Sequence, residues 1–203
     1  STNYLRLRYP RLEVAHIDLV PDHLFHEIQR QPEPGRILFV GPFGPRKGGD
    51  LWLRALAALP ASVRGVVVGS PVPGFRKSMR GQVDDAVWDR VEFRTGLNTE
   101  AMAEEYRKAT LMVCPTRADT GPTAVKEAVV AGVPVVGSCV GGLPDYVEPG
   151  KNGLLFTSGD PDGCLAAVRE ALAHPLFGRG TVDEAILRVK RSSLSATRMA
   201  RSF

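Results

Sequence analysis

Short runs of β-branched and aliphatic residues recur along this chain, and stretches with helical periodicity separate them. Six such runs are present: Arg36–Gly41, Val63–Ser70, Val91–Arg94, Leu111–Cys114, Val135–Gly137 and Gly153–Phe156. Most of them are apolar nearly throughout rather than alternating, which is typical of strands buried on both faces of a parallel sheet. The helices between them would cover both faces through right-handed crossovers. The sequence therefore predicts an α/β fold with a doubly wound, Rossmann-like parallel sheet of about six strands.

Helical patterns fill the gaps between these runs. The predicted helices are Gly49–Leu59, a polar stretch around Lys77–Asp89, Thr99–Ala109, Thr123–Ala131, Leu143–Glu148 and Pro161–Ala173. Aspartate is favoured as an N-cap and proline at the first helical position. We therefore interpret Asp160-Pro161-Asp162, the one Asp-x-Asp pattern in the sequence, as a helix start and not as a metal site.

The two ends of the chain differ from this central region, residues 34–178. Residues 1–33 contain one isolated strand pattern at Val14–Leu19 and a connection rich in Pro and Gln, and we interpret them as a leader or linker from a preceding domain. Residues 179–203 form a basic helical segment with a thin apolar stripe, and we expect this segment to lie apart from the core of the central region. The chain does not begin with Met, so we expect it to be a fragment of a longer protein.

Charge and cysteine content narrow the function classes. The formal net charge is +4, and six basic and two acidic residues in 179–203 account for all of it, so the central region is nearly neutral. We expect no nucleic-acid partner, and contact of the basic tail with a membrane surface stays open as an alternative. No apolar run approaches the ~20 residues of a membrane span. The three cysteines form no close pair, which favours a reducing, cytoplasmic setting over disulfides or zinc.

Three loops that follow predicted strands carry residues suited to ligand binding. Gly41–Gly49 combines glycines with Arg46 and Lys47 ahead of a helix start, a pattern that suits phosphate but lacks the P-loop and GxGxxG spacings. The loop after the fourth strand carries Asp119, and Glu127 follows about one turn into the next helix. The third loop, Val140–Gly153, contains four glycines and is also compatible with a purely structural role.

The segment Cys114–Phe156, CPTRADTGPTAVKEAVVAGVPVVGSCVGGLPDYVEPGKNGLLF, resembles the signature of the retaining group 1 glycosyltransferases of the GT-B fold. Ile37–Leu56 is similar to the phosphate loop of that family, and Val91–Thr116 to its base-binding stretch. The resemblance extends from about Val14 to Ala173 and covers only the C-terminal, donor-binding domain. It implies a hexosyltransferase of polysaccharide biosynthesis, which moves a sugar from a nucleotide-diphosphate sugar to a glycan or lipid-linked acceptor.

The resemblance also assigns roles to residues of this chain. The acid pair of the family falls on Asp119, which would hold hydroxyls of the donor sugar, and on Glu127, which would hold the ribose hydroxyls. The phosphate lysine falls on Lys47. The amides that cradle the diphosphate and sugar fall on Gly121, Thr123 and Ala124. The backbone groups that recognise the base fall near Phe93, Arg94 and Leu97. The implied mechanism needs no metal and no other cofactor.

The chain departs from the family pattern at three positions. Pro42 stands where the family usually has an arginine, and Arg46 is the candidate to replace it. Pro122 stands at a position that is often glycine and removes one N–H donor. Asp119 is shorter than the usual glutamate.

The resemblance further implies that an N-terminal, acceptor-binding domain is a partner, that residues 179–203 would cross to it, and that this chain alone transfers no sugar. The cytoplasm, with peripheral contact at the inner face of the membrane, is the implied location.

Two other functions stay open at this point. A degenerate domain that binds a nucleotide-sugar or a partner chain without turnover would fit the prolines at 42 and 122. A nucleotide-sugar epimerase fits less well, because the order of the loops and the spacing of the two acids argue against it. A nicotinamide dehydrogenase fits least, since the first loop lacks the required glycine pattern. The sequence leaves the base, the sugar and the acceptor undetermined.

Overall fold

Six parallel strands form one central sheet in the computed structural model, which describes residues 8–11 and 19–200. The strands are β1 (Arg36–Val40), β2 (Arg64–Val68), β3 (Val91–Arg94), β4 (Leu111–Cys114), β5 (Val135–Ser138) and β6 (Gly153–Phe156). Their order across the sheet is β3-β2-β1-β4-β5-β6, and each neighbouring pair is parallel. The predicted doubly wound, Rossmann-like sheet is confirmed. Its strand order reverses between β1 and β4, and such sheets bind ligands beside this point, at the carboxyl ends of the strands.

Helices connect the strands and cover the sheet on both sides. The described helices are α1 (His23–His26), α2 (Gly49–Ala57), α3 (Phe75–Ser78), α4 (Asp85–Trp88), α5 (Thr99–Lys108), α6 (Thr123–Ala131), α7 (Leu143–Tyr146), α8 (Pro161–Ala173), α9 (Glu184–Ser193) and α10 (Ala196–Ala200), with 3₁₀ turns at Pro45–Lys47 and Phe177–Arg179. Asp160 caps α8 by accepting from the N–H groups of Asp162 and Gly163, as predicted for this helix start.

The single polar helix predicted around Lys77–Asp89 is wrong, because α3 and α4 take its place. Gly81 lies between them with φ of +78°, a left-handed conformation that interrupts a helix. Asp84 then starts α4, and its carboxylate accepts a hydrogen bond from the N–H of Ala86 at 2.9 Å. The turn chemistry of glycine and aspartate overrides the helical periodicity here.

Apolar side chains form one buried cluster on each face of the sheet. The cluster under α2 and α8 is aromatic at its centre and includes Phe39, Phe43, Trp52, Phe75 and Trp88. The cluster under α5 and α6 is mostly aliphatic and includes the fully buried Tyr106. Burial on both faces explains why the strands lack an alternating pattern.

Residues 22–33 pack against this central unit, so the expectation that residues 1–33 lie outside it is wrong for that part. Phe25 is buried, and its ring stands edge-on to Tyr106 with 5.6 Å between centroids. Arg30 donates to the carbonyls of Tyr106, Ala109 and Gly180. Carbonyls at a helix C-terminus lack intrahelical donors, and this arginine supplies one at the end of α5. The connection of this segment to a preceding domain stays a prediction.

The segment after residue 179 also packs on its own domain, which corrects the expectation that its apolar stripe lies apart from the core. Leu194 is buried within the cluster under α6, and the Arg191 Nε atom donates to the Val130 carbonyl at 2.8 Å. The physical reason is local. Gly132 ends α6 without a side chain, so Leu187 of α9 can approach within 3.2 Å of where a Cβ atom would lie. A crossing of later residues to another domain stays a prediction.

The predicted strand at Val14–Leu19 falls outside the described residues, apart from Leu19 itself. Within residues 8–11 and 19–200, no helix has the length and apolar character needed to cross a bilayer.

Candidate functional site

Three loops meet at the carboxyl edge of the sheet, and two glycines permit their contact. Gly48, in the β1–α2 loop, has φ of +76°, and a Cβ atom there would lie 1.9 Å from the Pro115 carbonyl oxygen. Gly141, in the β5–α7 loop, has φ of +59°, and its Cβ atom would lie 1.7 Å from the Asp119 carbonyl oxygen. No larger residue fits at such distances. The β4–α6 loop (Pro115–Pro122) is thereby held between the other two.

Lys47 and Asp119 form an ion pair across this junction. The Lys47 Nζ atom donates to the Asp119 Oδ2 atom at 2.5 Å, although the residues lie 72 positions apart. The two side chains are 20% and 14% exposed, so solvent screens their attraction less than that of a fully exposed pair. The fold thus brings together two residues for which a binding role is predicted.

Arg117 fastens the β4–α6 loop to the β1–α2 loop. Its guanidinium makes two hydrogen bonds to Asp50, at 2.8 and 2.7 Å, and its backbone N–H donates to the Arg46 carbonyl at 2.9 Å. Burial acts to raise the pKa of Asp50, but the hydrogen bonds and charge of Arg117 outweigh it and lower that pKa. No sequence pattern indicates this role for Arg117, because a loop arginine has many conceivable partners until the fold places one beside it.

The N-terminus of α6 offers free backbone donors beside the ion pair. The N–H groups of Gly121, Thr123 and Ala124 have no acceptor among the described residues. Pro122 precedes the helix and supplies no N–H, while its carbonyl accepts from Val125 and Lys126. Unpaired amides and the helix dipole favour an anion at such an end. The three amides predicted to cradle a diphosphate are therefore available to one.

Glu127 lies on α6, and a side chain of α5 holds one of its two carboxylate oxygens. Its Oε2 atom accepts a hydrogen bond from the Tyr106 hydroxyl at 2.9 Å, and its Oε1 atom has no donor in the described part of the chain. Burial raises the pKa of Glu127, and the hydrogen bond from Tyr106 offsets part of that rise. Tyr106 is fully buried, which raises its own pKa well above 10.0 and keeps it a donor. No sequence pattern predicts a role for Tyr106 at the site.

Arg46 and Cys114 also border this edge. The Arg46 side chain is exposed and has no partner among the described residues, so it is available to an anion. Burial raises the pKa of the Cys114 thiol to about 12, which keeps it protonated and argues against a nucleophile there. Among the described residues, no group of three His, Cys, Asp or Glu side chains could hold a metal ion.

The residues predicted for base recognition lie at the end of β3 and in the loop after it. The Phe93 ring stacks on Trp88 with 6.3 Å between centroids, and Arg94 donates to the buried Glu105 at 2.6 Å. Leu97 packs partly buried against the cluster under α5. These side chains are therefore committed to packing and pairing, and the predicted role of their backbone groups stays a prediction.

Comparison with known proteins identifies relatives among the glycosyltransferases. The family model for group 1 glycosyl transferases matches residues 34–174. A D-inositol 3-phosphate glycosyltransferase of Mycolicibacterium gilvum is 33% identical over 157 residues, which are 73% of this chain and 35% of that protein. The enzyme of the same name from Acidothermus cellulolyticus is 33% identical over 190 residues, 81% of this chain and 42% of that protein. The chain thus spans less than half the length of these relatives.

Solved structures of similar fold include a synthase and a galactosyltransferase. A sucrose-phosphate synthase from Thermosynechococcus elongatus has a TM-score of 0.74 and 25% identity, covering 98% of this chain and 53% of that one. A lipopolysaccharide outer core galactosyltransferase, WaaB, superposes with a TM-score of 0.76 at 17% identity, covering 100% of this chain and 57% of that one. Together with the family match over residues 34–174, these similarities show that the chain belongs to the group 1 glycosyltransferases, with the Rossmann-like α/β architecture of the GT-B fold.

Proposed function

We propose that this chain is the donor-binding half of a retaining glycosyltransferase, which moves a sugar from a nucleotide-diphosphate sugar to a glycan or lipid-linked acceptor. One observation carries the proposal: at the carboxyl edge, beside the strand-order reversal, Lys47 pairs with Asp119 just ahead of α6, and the first amides of that helix have no acceptor among the described residues. Each of these groups suits one part of such a donor. Anabaena HepE, which shares the fold at 20% identity and a TM-score of 0.72, has been solved with UDP.

The diphosphate is the part of the donor that the charged groups would hold. Lys47 would leave Asp119 and pair with a phosphate oxygen, and the amides at the start of α6 would donate to the same group. Asp119, once released, would accept from hydroxyls of the sugar. The unpaired Oε1 atom of Glu127 would accept from the ribose hydroxyls. Arg46 would add a second positive charge near the phosphates.

In the proposed reaction, the bond from the anomeric carbon to the diphosphate breaks as the acceptor oxygen attacks from the same face. The acceptor proton passes to an oxygen of the departing diphosphate, so the step needs no protein base and no metal. The protein then contributes orientation and stabilisation of the negative charge that develops on the leaving group. Because the chain spans only part of its relatives, we assign the acceptor to a neighbouring N-terminal domain and expect no transfer by this chain alone.

A degenerate binding domain is the second candidate, because Pro122 removes one N–H donor from the predicted cradle. Such a domain would keep nucleotide binding and lack the sugar contact. A nucleoside diphosphate and its sugar derivative would then bind with equal affinity. Under the proposed function the sugar derivative binds more tightly, since only it can reach Asp119.

The proposal is tested by titrating the 203-residue chain with UDP, GDP, ADP and their sugars. One nucleoside diphosphate should raise the thermal midpoint, and Lys47→Ala should weaken its binding about 10- to 150-fold, as for a lost charged hydrogen bond of ~1.5–3 kcal/mol. The nucleoside without phosphates should be affected much less. Lys108→Ala is the matched control, because Lys108 pairs with Glu104 at 2.9 Å on α5, away from the three loops. Binding of a nicotinamide dinucleotide alone, or equal losses for nucleoside and diphosphate, would refute the assignment.

A further inference from the structure

The Tyr106 hydroxyl holds one oxygen of the Glu127 carboxylate. The carboxylate is thereby kept in one orientation, and its other oxygen would be the one that meets the ribose. We propose that Tyr106 is a positioning residue for donor binding: its hydroxyl fixes the Oε2 atom of Glu127 and leaves the Oε1 atom for the ribose hydroxyls. This inference rests on the proposed function, because it concerns the carboxylate that would bind the ribose.

Tyr106 is itself held at three points, and so it forms a rigid support. Its side chain is 0% exposed, and its ring stands edge-on to Phe25. Its backbone carbonyl accepts from the guanidinium of Arg30. Its hydroxyl lies 3.1 Å from the Ala124 carbonyl and 2.9 Å from Glu127. Two segments of the chain, residues 22–33 and α6, therefore hold Tyr106 in place.

The support matters because a glutamate side chain has three rotatable torsions. Freezing them when a ligand binds costs conformational entropy, and a side chain already held in the bound orientation avoids much of that cost. The hydrogen bond also favours the ionised carboxylate, which is the form that accepts from hydroxyl groups. Burial works against ionisation at this position, so the phenol offsets part of that effect.

A purely structural role for Tyr106 makes a different prediction from a positioning role. If the hydroxyl serves only to bridge α5 and α6, its loss lowers stability and weakens every ligand alike. If it positions Glu127, its loss weakens only those ligands that carry ribose hydroxyls. The comparison of a nucleoside diphosphate with its 2′,3′-dideoxy analogue separates the two roles.

The test uses Tyr106→Phe, which removes one oxygen atom and keeps the ring. We expect this variant to bind the best of UDP, GDP and ADP about 3- to 10-fold more weakly than the unaltered chain, the effect of one lost hydrogen bond. Its affinity for the 2′,3′-dideoxy analogue should change less than about 2-fold. Isothermal titration calorimetry measures the dissociation constants of both ligands. Glu127→Gln should reduce the preference for ribose, and adding Tyr106→Phe to Glu127→Gln should change nothing further, because the two residues act through one contact.

Thr110→Val is the matched control, because it also removes a buried hydroxyl. Thr110 Oγ1 donates to the Glu33 carbonyl at 2.6 Å, just before β4 and at the opposite edge of the sheet. This variant should lose stability without changing the ratio of the two affinities. Equal weakening of both ligands by Tyr106→Phe, or no change in either, would overturn the positioning role while leaving nucleotide binding intact. If the unaltered chain binds none of the three nucleotides, the proposed function itself is refuted, and this inference with it.

Discussion

The two carboxylates of the candidate site are held in opposite ways. Asp119 lies on a loop, and its charge is paired with a cation, Lys47, at 2.5 Å. Glu127 lies on a helix, and a neutral phenol 2.9 Å away holds one of its oxygens. Under the proposed function, Lys47 would exchange Asp119 for a phosphate oxygen when the donor binds. The other oxygen of Glu127 has no donor among the described residues.

The positions of the two acids therefore depend on different parts of the structure. The position of Asp119 depends on its neighbours in space, because Gly141 touches its carbonyl and Arg117 fastens its loop. The position of Glu127 depends on α6 and on one buried tyrosine of α5. A perturbation of the loop junction should therefore affect one acid and spare the other, and three predictions test that separation.

The largest effect should come from the loop junction. Gly141→Ala would place a Cβ atom 1.7 Å from the Asp119 carbonyl oxygen at φ of +59°. We expect the free energy of unfolding to fall by about 2–4 kcal/mol, because both strain and overlap must be relieved. Gly121→Ala is the control, since nothing lies within 4 Å of its Cβ position. Urea denaturation measures the free energy of unfolding of both variants. Equal stability of the two variants would show that the loops are not in contact.

A smaller effect should follow from releasing Lys47. Asp119→Asn removes the carboxylate that competes with a phosphate for that cation, and we expect a nucleoside diphosphate to bind about 2- to 5-fold more tightly. This corresponds to ~0.5–1 kcal/mol for a partly screened ion pair. The additional affinity of the sugar derivative should fall in the same variant. Asp162→Asn, on α8, makes the same change in net charge. It should alter neither the dissociation constant of the nucleoside diphosphate nor that of its sugar derivative. Weaker diphosphate binding by Asp119→Asn would mean that the pair holds Lys47 in place for the ligand.

The smallest effect should be a pH dependence that only Glu127 produces. Burial raises the pKa of Glu127, so its carboxylate is protonated at a higher pH than an exposed glutamate as the solution is acidified. The preference for a nucleoside diphosphate over its dideoxy analogue should therefore fall about 2- to 5-fold between pH 7.5 and pH 5, as a charged acceptor becomes a neutral one. Taking the ratio cancels the titration of the phosphates, which both ligands share. Glu127→Gln should show a ratio independent of pH, and an equal slope in that variant would contradict the assignment.

The strand pattern and the strand-end loops of this chain could be predicted because both are local properties of the sequence. Continuous apolar runs such as Leu111–Cys114 indicated a sheet covered on both faces, and glycine-rich turns after the strands indicated the binding edge. The bounds of β3, β4, β6, α6 and α8 agree with the predicted ones. The helix predicted around Lys77–Asp89 failed at Gly81, where the backbone conformation of one residue overrode the periodicity of its neighbours.

Other features followed only from the tertiary structure, because they join residues far apart in the chain. Nothing in the sequence around Tyr106 or Glu127 indicates their hydrogen bond, which exists because α5 and α6 pack side by side over the sheet. The same holds for the bond between Arg30 and the carbonyl of Gly180, 150 positions away. The packing of α9 onto α6 depends on the space beside Gly132. Sequence alone determined the fold class and the edge where a ligand would bind, since periodicity and turn chemistry act over a few residues. The pairing of side chains that are distant in sequence was decided by packing, because only the folded sheet brings them within hydrogen-bonding distance of each other.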